Sequence, residues 1–358
     1  MTARITVDAR YLKRPAVGIS VYLHDFITEL LHSSHAVTLV TSHPAHVRWL
    51  AESFPGADVD LVPGRHSVVW EQVALPRYLH EQQPGVYLAG GNRGLPFRSP
   101  SRTRLALIVH DLIPLRMPRT YLLGDPFGAA RFLSGTAVSL ARADLVIANS
   151  HSTAAEVRRL RSKARVVIRY PRTPSPPAAG PLPAGWPDEF LLHCGGADSR
   201  KNVTRLLAAH REYRRRGGNL PLVVLGANFD AIREAEAWDD GVRFTGVVSE
   251  STKWQALRRA RAVAYPSTWE GFGLPILEAL AVGTPVLAGY GGAQREVGGD
   301  AALYVDPQDH EALTAALARV TEPAWRAHVR RVGHSRLRHI RNSHVDAASS
   351  LRALLDPP

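Results

Sequence analysis

Ser267-Thr-Trp-Glu-Gly-Phe-Gly-Leu-Pro-Ile-Leu-Glu-Ala-Leu-Ala-Val-Gly-Thr-Pro-Val286 is the stretch that decides the fold. It follows an apolar run, Ala262–Tyr265, closed by Pro266. A buried parallel strand reads as such a run, and proline ends it. Gly271 and Gly273 allow close backbone approach to a ligand, and Pro275 suits the first turn of a helix. The amides of Phe272, Gly273 and Leu274 would then lie at a helix N-terminus, which favours anionic or hydroxyl-rich ligands. Glu270 sits in the loop, and Glu278, eight residues on, sits one turn into the helix. Two carboxylates at one strand end can each accept hydrogen bonds from a pair of sugar hydroxyls. On spacing alone a solvated helix charge is as good a reading of Glu278, and a turn residue is the rival reading of Glu270.

Outward from this stretch the same alternation repeats. Ile5–Ala9, Val37–Val40, Gly85–Ala89, Leu105–Val109 and Leu145–Ala148 read as buried strands, separated by helical periods such as Val21, Leu23, Phe26, Ile27, Leu30. Seven prolines between Pro171 and Pro187 break the pattern, since such a segment makes neither a continuous helix nor a central strand. It then restarts with Phe190–Cys194, Leu222–Leu225, Val242–Phe244, Ala262–Tyr265, Pro285–Ala288 and Leu303–Val305, and ends in a helical, arginine-rich tail. The expectation is α/β: two doubly wound parallel-sheet domains with a ligand cleft between them, since ligands sit beyond the carboxyl ends of such strands. The expected division is an N-terminal acceptor-binding domain over 1–170, a linker over 171–187, a donor-binding domain over 188–335, and a C-terminal helix over 336–358. Packing of that helix against the N-terminal domain is left open.

Composition narrows the class. The 358 residues are 45% apolar, enough for real cores, and the lone cysteine, Cys194, excludes a disulfide scaffold. No apolar run spans a membrane and the N-terminus lacks a secretion-signal core, so a cytoplasmic protein is expected, with peripheral contact to the inner membrane face left open. The net charge is +12, and all but four of the 44 basic residues are arginine. That composition fits GC-rich coding as well as attraction to phosphates, membrane surfaces or nucleic acid.

Three other segments carry chemistry. Arg200 and Lys201 follow a strand that runs out into Gly195-Gly196, and they precede a helix. Fixed cations there can neutralise a diphosphate, each charge-assisted hydrogen bond contributing about 1.5–3 kcal/mol. His110 ends an apolar strand, and its neighbour Asp111 suits either a helix cap or a sugar contact. Gly18 lies between the first strand and the first helix. Asp58-Val-Asp60 has a metal-binding spacing that arises often by chance, His32, His35, His43 and His46 have no zinc pattern, and no Walker, HExxH, GxSxG or GxGxxG motif occurs.

Glu270-Gly-Phe-Gly-Leu-Pro with Glu278-Ala-Leu-Ala and Gly283-Thr-Pro-Val resembles the signature of retaining nucleotide-sugar glycosyltransferases of family four, which have the two-Rossmann GT-B architecture. Gly195-Gly-Ala-Asp-Ser-Arg-Lys-Asn202, Val109-His-Asp-Leu-Ile-Pro114, Ala148-Asn-Ser-His-Ser152 and Ala301-Ala-Leu-Tyr-Val-Asp-Pro307 resemble further family segments in the same order. The resemblance implies catalytic roles for His110, Arg200, Lys201 and Glu270. It implies donor contacts from Gly18, Gly196, Phe272, Gly273, Leu274 and Glu278, although only one glycine stands in Val17-Gly-Ile-Ser20 where the family often has two. No metal or other cofactor is expected. The implied substrates are a nucleotide-diphosphate sugar, with GDP-mannose favoured by the His-Asp-Leu-Ile-Pro form, and a saccharide, lipid-linked or small-molecule acceptor. A UDP- or dTDP-sugar transferase acting on a small natural product is the nearest alternative, and a basic nucleic-acid-binding protein is the alternative of another class. Against the latter, no recognised nucleic-acid module is present.

Overall fold

A computed structural model describes residues 3–14, 18–64, 66–178, 180–230, 232 and 241–355. The chain forms two compact units. The first runs to Arg172 and is joined by the segment from Ser343 onward; the second is Thr173–Asn342.

The first unit is built on seven strands: β1 Arg4–Asp8, β2 Ala36–Thr41, β3 Asp58–Leu61, β4 Val86–Ala89, β5 Arg104–Val109, β6 Leu145–Ala148 and β7 Val166–Ile168. Their order is β3-β2-β1-β4-β5-β6-β7, with every neighbour parallel. The inner strands are buried on both faces, which is why they read as unbroken apolar runs. The first helix, α1 (Ile19–Leu31), buries Leu23, Phe26, Ile27 and Leu30 against β1 and its neighbours. The second unit repeats the plan with β8 Leu191–Cys194, β9 Leu222–Leu225, β10 Val242–Gly246, β11 Ala262–Tyr265, β12 Val286–Ala288 and β13 Ala302–Tyr304, ordered β10-β9-β8-β11-β12-β13 and again all parallel. In each sheet the direction of winding reverses once, between β1 and β4 and between β8 and β11. These reversals are where doubly wound sheets hold ligands.

Two expected boundaries move. The helix Pro323–Asn342 is continuous and buries Val329, Gly333 and Ile340. Arg336 Nε donates to Val297 O at 3.0 Å, so the second unit extends through Asn342 rather than stopping at 335. The last helix, Ala347–Leu355, places Ala347 and Leu351 in the core of the first unit. It is fastened through Glu29, whose carboxylate accepts from Arg169 Nη2 at 2.7 Å, His344 Nε2 at 2.9 Å and the Ala347 amide at 3.0 Å. The proline-rich segment has neither helix nor strand among its described residues. It is nonetheless tied to the second unit, because Gln255 Nε2 donates to Ala178 O at 3.0 Å.

Candidate active site

At the carboxyl end of β8 the chain passes Gly195 and Gly196 into a single 3-10 turn, Ser199–Lys201. Asp198 closes that turn by accepting from the Arg200 amide at 3.0 Å, and Asn202 leaves it in the left-handed region, which asparagine tolerates. Helix α2 (Val203–Arg215) starts there. At the end of β11, Thr268 binds the same turn, donating from its amide (2.8 Å) and its hydroxyl (3.2 Å) to Arg200 O. Glu270 is held by a parallel bridge to Gly292, with the Ala293 amide donating to Glu270 O at 2.9 Å. The two loops therefore form one fixed surface.

On that surface Arg200 Nη1 lies 2.5 Å from Glu270 Oε2, and Lys201 Nζ lies 2.8 Å from Glu270 Oε1. The Tyr265 hydroxyl donates to Glu270 Oε1 at 2.6 Å and also meets Lys201 Nζ. Burial alone would raise the Glu270 carboxyl, but Lys201 and Arg200 outweigh it and hold it down at about 2. Lys201 is pulled below the ordinary lysine value by burial, with repulsion from Arg200 added. Asp198 Oδ2 also stands 3.6 Å from Arg200 Nε, so the two cations meet two carboxylates, of which Glu270 is the buried one.

Glu278 belongs to a different pair. It lies on helix α3 (Leu274–Ala281), where its Oε1 is 2.9 Å from Lys253 Nζ, and Lys253 also reaches Glu250 at 3.0 Å. Burial raises the Glu278 carboxyl, opposed by Lys253. The buried Cys194 thiol, at the end of β8, feels the charges of both Glu278 and Lys201, so the two ion-paired groups flank that strand end. Gly273 caps α3 with φ +105°, a conformation that an L side chain would strain, and no side chain caps the helix. Of the first amides of α3 only that of Leu274 has no partner inside the helix, since Pro275 has no N–H and the Ile276 amide donates to Gly273 O at 3.0 Å. Phe272 is buried beside them. Gly196 is less constrained than expected: a Cβ there would meet only Ala227 O at 3.6 Å.

In the first unit His110 ends β5 and is buried. Its amide donates to Asn92 Oδ1 at 2.7 Å, and its Nε2 faces Gly90 O at 3.1 Å. A carbonyl can only accept, so Nε2 carries the proton and Nδ1 is the acceptor nitrogen. The ring meets Tyr22 edge-on at 5.1 Å. Burial lowers its pKa to about 4, so it is neutral at pH 7. Asp111 Oδ1 accepts from the Ile113 amide at 3.2 Å, a local turn-closing contact. Gly18 caps α1 at φ +50°, with open space where a Cβ would stand. Asp60, in the rejected Asp-x-Asp, accepts from the Tyr78 hydroxyl at 2.6 Å. Among the described residues no three of His, Cys, Asp and Glu gather to hold a metal ion, and no helix is long and apolar enough to cross a membrane.

Sequence reasoning missed four contributors: Tyr265, Thr268, Lys253 and His193. His193 stacks under Tyr265 (6.2 Å, 27° between planes) and is held neutral by burial, with its pKa at about 4. Tyr265 and His193 looked like core residues of apolar strands, which they also are.

Residues 184–330 match the family described as Glycosyl transferases group 1, and residues 17–171 match Glycosyltransferase Family 4. Between them the matches span most of the chain and both strand-end sites. The chain belongs to glycosyltransferase family 4. This family 4 chain is 33% identical over 156 residues to the O-antigen chain mannosyltransferase B of Escherichia coli, covering 38% of each. It is 35% identical over 153 residues to a phosphatidyl-myo-inositol mannosyltransferase of Mycolicibacterium smegmatis, covering 40% of each. The aligned segments thus span about two fifths of those relatives' length. Among solved structures it is similar to a sucrose-phosphate synthase from Thermosynechococcus elongatus, with TM-score 0.73 and 18% identity, covering 98% of this chain and 96% of that one. It is also similar to Anabaena HepE in complex with UDP-glucose, with TM-score 0.69 and 15% identity, covering 99% and 98%. These likenesses place the family 4 chain in the GT-B fold, with two Rossmann-like domains.

Proposed function

We propose that this family 4 chain transfers a hexose, best assigned as mannose from GDP-mannose, from a nucleotide-diphosphate sugar to a hydroxyl of a saccharide or lipid-linked acceptor, retaining configuration and using no metal. The observation that carries this is the Arg200–Lys201–Glu270 group at the switch point of the second sheet. Two fixed cations there supply the charge that a departing diphosphate needs. In this reading Arg200 and Lys201 turn from Glu270 to the phosphates, which frees the carboxylate for sugar hydroxyls. The amides at Phe272, Gly273 and Leu274 share that task, Glu278 accepts from the ribose, and Gly18 and Gly196 give room for the phosphates. His110, neutral, offers Nδ1 to a sugar hydroxyl.

A front-face course fits these groups. The leaving phosphate accepts the acceptor's proton while the sugar passes through an oxocarbenium-like state, and the protein contributes position and charge. Mannose is favoured by the mannosyltransferases among the relatives. A UDP-hexose is the second reading, supported by the similarity to a structure holding UDP-glucose. The proposed setting is the cytoplasm.

The test is a thermal-shift panel of GDP, UDP and dTDP with GDP-mannose, UDP-glucose and UDP-N-acetylglucosamine, with and without EDTA. A ligand at about 100 times its dissociation constant stabilises by about 2.7 kcal/mol. An EDTA-insensitive shift with GDP and GDP-mannose alone is the expected result. A shift confined to UDP compounds replaces the donor, and a shift abolished by EDTA removes metal independence.

A further inference from the structure

The task proposed for His110 needs its imidazole in one orientation. Its backbone is fixed twice: the amide donates to Asn92 Oδ1 at 2.7 Å, and the Thr153 hydroxyl donates to His110 O at 3.4 Å. The ring is held by one hydrogen bond, to Gly90 O, and by the edge-on ring of Tyr22 at 5.1 Å. A half-turn of the imidazole about its Cβ–Cγ bond would put a carbon where Nε2 meets Gly90 O and carry Nδ1 to the other side. A single hydrogen bond and an aromatic edge contact are of similar strength, so Tyr22 bears about half of this restraint.

Tyr22 is itself held at both its hydroxyl and its ring. The hydroxyl donates to Arg169 O at 3.0 Å, and the Arg169 guanidinium stands 4.8 Å from the ring centroid of Tyr22 and 4.8 Å from that of Phe26. Arg169 is fully buried, and its Nε and Nη1 have no hydrogen-bond partner. An apolar side chain would fill this space without burying a charge, so stability gives no reason for an arginine here. What the guanidinium adds is a flat, fixed plate against the tyrosine. It is fixed by Glu29, which accepts from Arg169 Nη2 at 2.7 Å. Glu29 is held in turn by the last segment of the first unit, through His344 Nε2 at 2.9 Å and the Ala347 amide at 3.0 Å. Arg172 stands further off, at 3.6 Å.

We infer that Tyr22 and Arg169 are positioning residues for His110, and that the C-terminal segment, acting through Glu29, sets the orientation of that imidazole. The use made of His110 rests on the glycosyltransferase reading; the chain of contacts does not.

The test uses the full chain labelled with ¹⁵N-histidine. Long-range ¹H–¹⁵N spectra at pH 7 report which ring nitrogen of His110 carries the proton, the signals being assigned by their loss in His110→Asn. The spectra are taken on Tyr22→Leu, on Tyr22→Phe, on the double variant Glu29→Gln with Arg169→Met, and on Leu50→Ala, a core change in the same unit outside this chain of contacts. Wild type, Tyr22→Phe and Leu50→Ala should show one tautomer, with the proton on Nε2. Tyr22→Leu and the double variant should show a mixture. Release of nucleotide from GDP-mannose or UDP-glucose, with water as acceptor, should fall in those two about two- to tenfold in kcat with KM little changed. One tautomer in both Tyr22→Leu and the double variant overturns the inference, and so does a mixture of equal extent in Leu50→Ala. Should Tyr22→Leu fail to fold, the double variant carries the same comparison. Absence of nucleotide release in the wild type bears on the transferase reading alone, and the tautomer comparison then decides the positioning by itself.

Discussion

The two sheets of this chain have the same winding and each places candidate residues at the carboxyl ends of its strands, yet they equip those ends in opposite ways. The second unit gathers charge: Arg200 and Lys201 each lie within 2.8 Å of Glu270, which Tyr265 joins. The first unit offers a histidine kept neutral, at about 4, by burial. In the proposed function one backbone plan supports two tasks. A charged leaving group needs cations that are already desolvated and held, whereas a hydroxyl-bearing sugar needs an oriented acceptor that does not change charge near neutrality.

The comparison breaks most readily at the charged side. Lys201→Ala and Glu270→Ala are each expected to cut turnover about 10²–10³-fold, and near-normal steady-state rates in both would sink the assignment. The two should differ in stability. Removing Glu270 leaves two desolvated cations without their carboxylate, at a cost of about 3–5 kcal/mol. A nucleoside diphosphate should restore much of the lost melting temperature in Glu270→Ala and little in Lys201→Ala. Equal rescue in both would mean that the cations do not meet the phosphates.

Acid sharpens the contrast. His110 and His193 have folded values of about 4 against an ordinary 6.5, so between those values the unfolded chain binds the extra protons. Their contribution is present above about 6.5 and lost as pH falls towards 4, about 3 kcal/mol each. Glu270, at about 2 against 4.5, acts lower, and its contribution is lost only as pH falls from about 4.5 towards 2. Denaturant midpoints measured at several pH values should therefore fall in two stages, the upper one reduced in His110→Asn or His193→Asn. A single stage below pH 4.5 would contradict the neutral histidines.

Smaller effects test the supporting groups. Tyr265→Phe removes a hydrogen bond to Glu270 while keeping the ring, so kcat should fall about tenfold with little change in nucleotide affinity. A fall in KM-related terms alone would make Tyr265 a structural residue. Lys253→Ala breaks a partly solvated pair and should weaken nucleotide binding only a few-fold by titration calorimetry.

Much of this was legible in the sequence because buried parallel strands write themselves as apolar runs and the strand-end motifs follow directly. The edge strand β7 was not legible as a strand, since it is short and only part-buried. The ion pairing was also hidden. Arg200 and Glu270 are seventy positions apart, and nothing local says that the cations rest on that carboxylate rather than standing open. Lys253 looked like any helix-face lysine. The 335 boundary failed because Gly333 suggested nothing about where a continuous helix would hand over to the first unit.

That hand-over has a consequence in time. Ala347 and Leu351 complete the core around β1, and Glu29 waits for His344 and the Ala347 amide. On the ribosome the whole second unit is made between the two halves of the first. At about 5–20 residues per second, the first sheet stands unfinished for on the order of ten to thirty seconds. The earliest part of the chain to emerge is therefore the last to be sealed, and it is the part most in need of protection while the rest is being made.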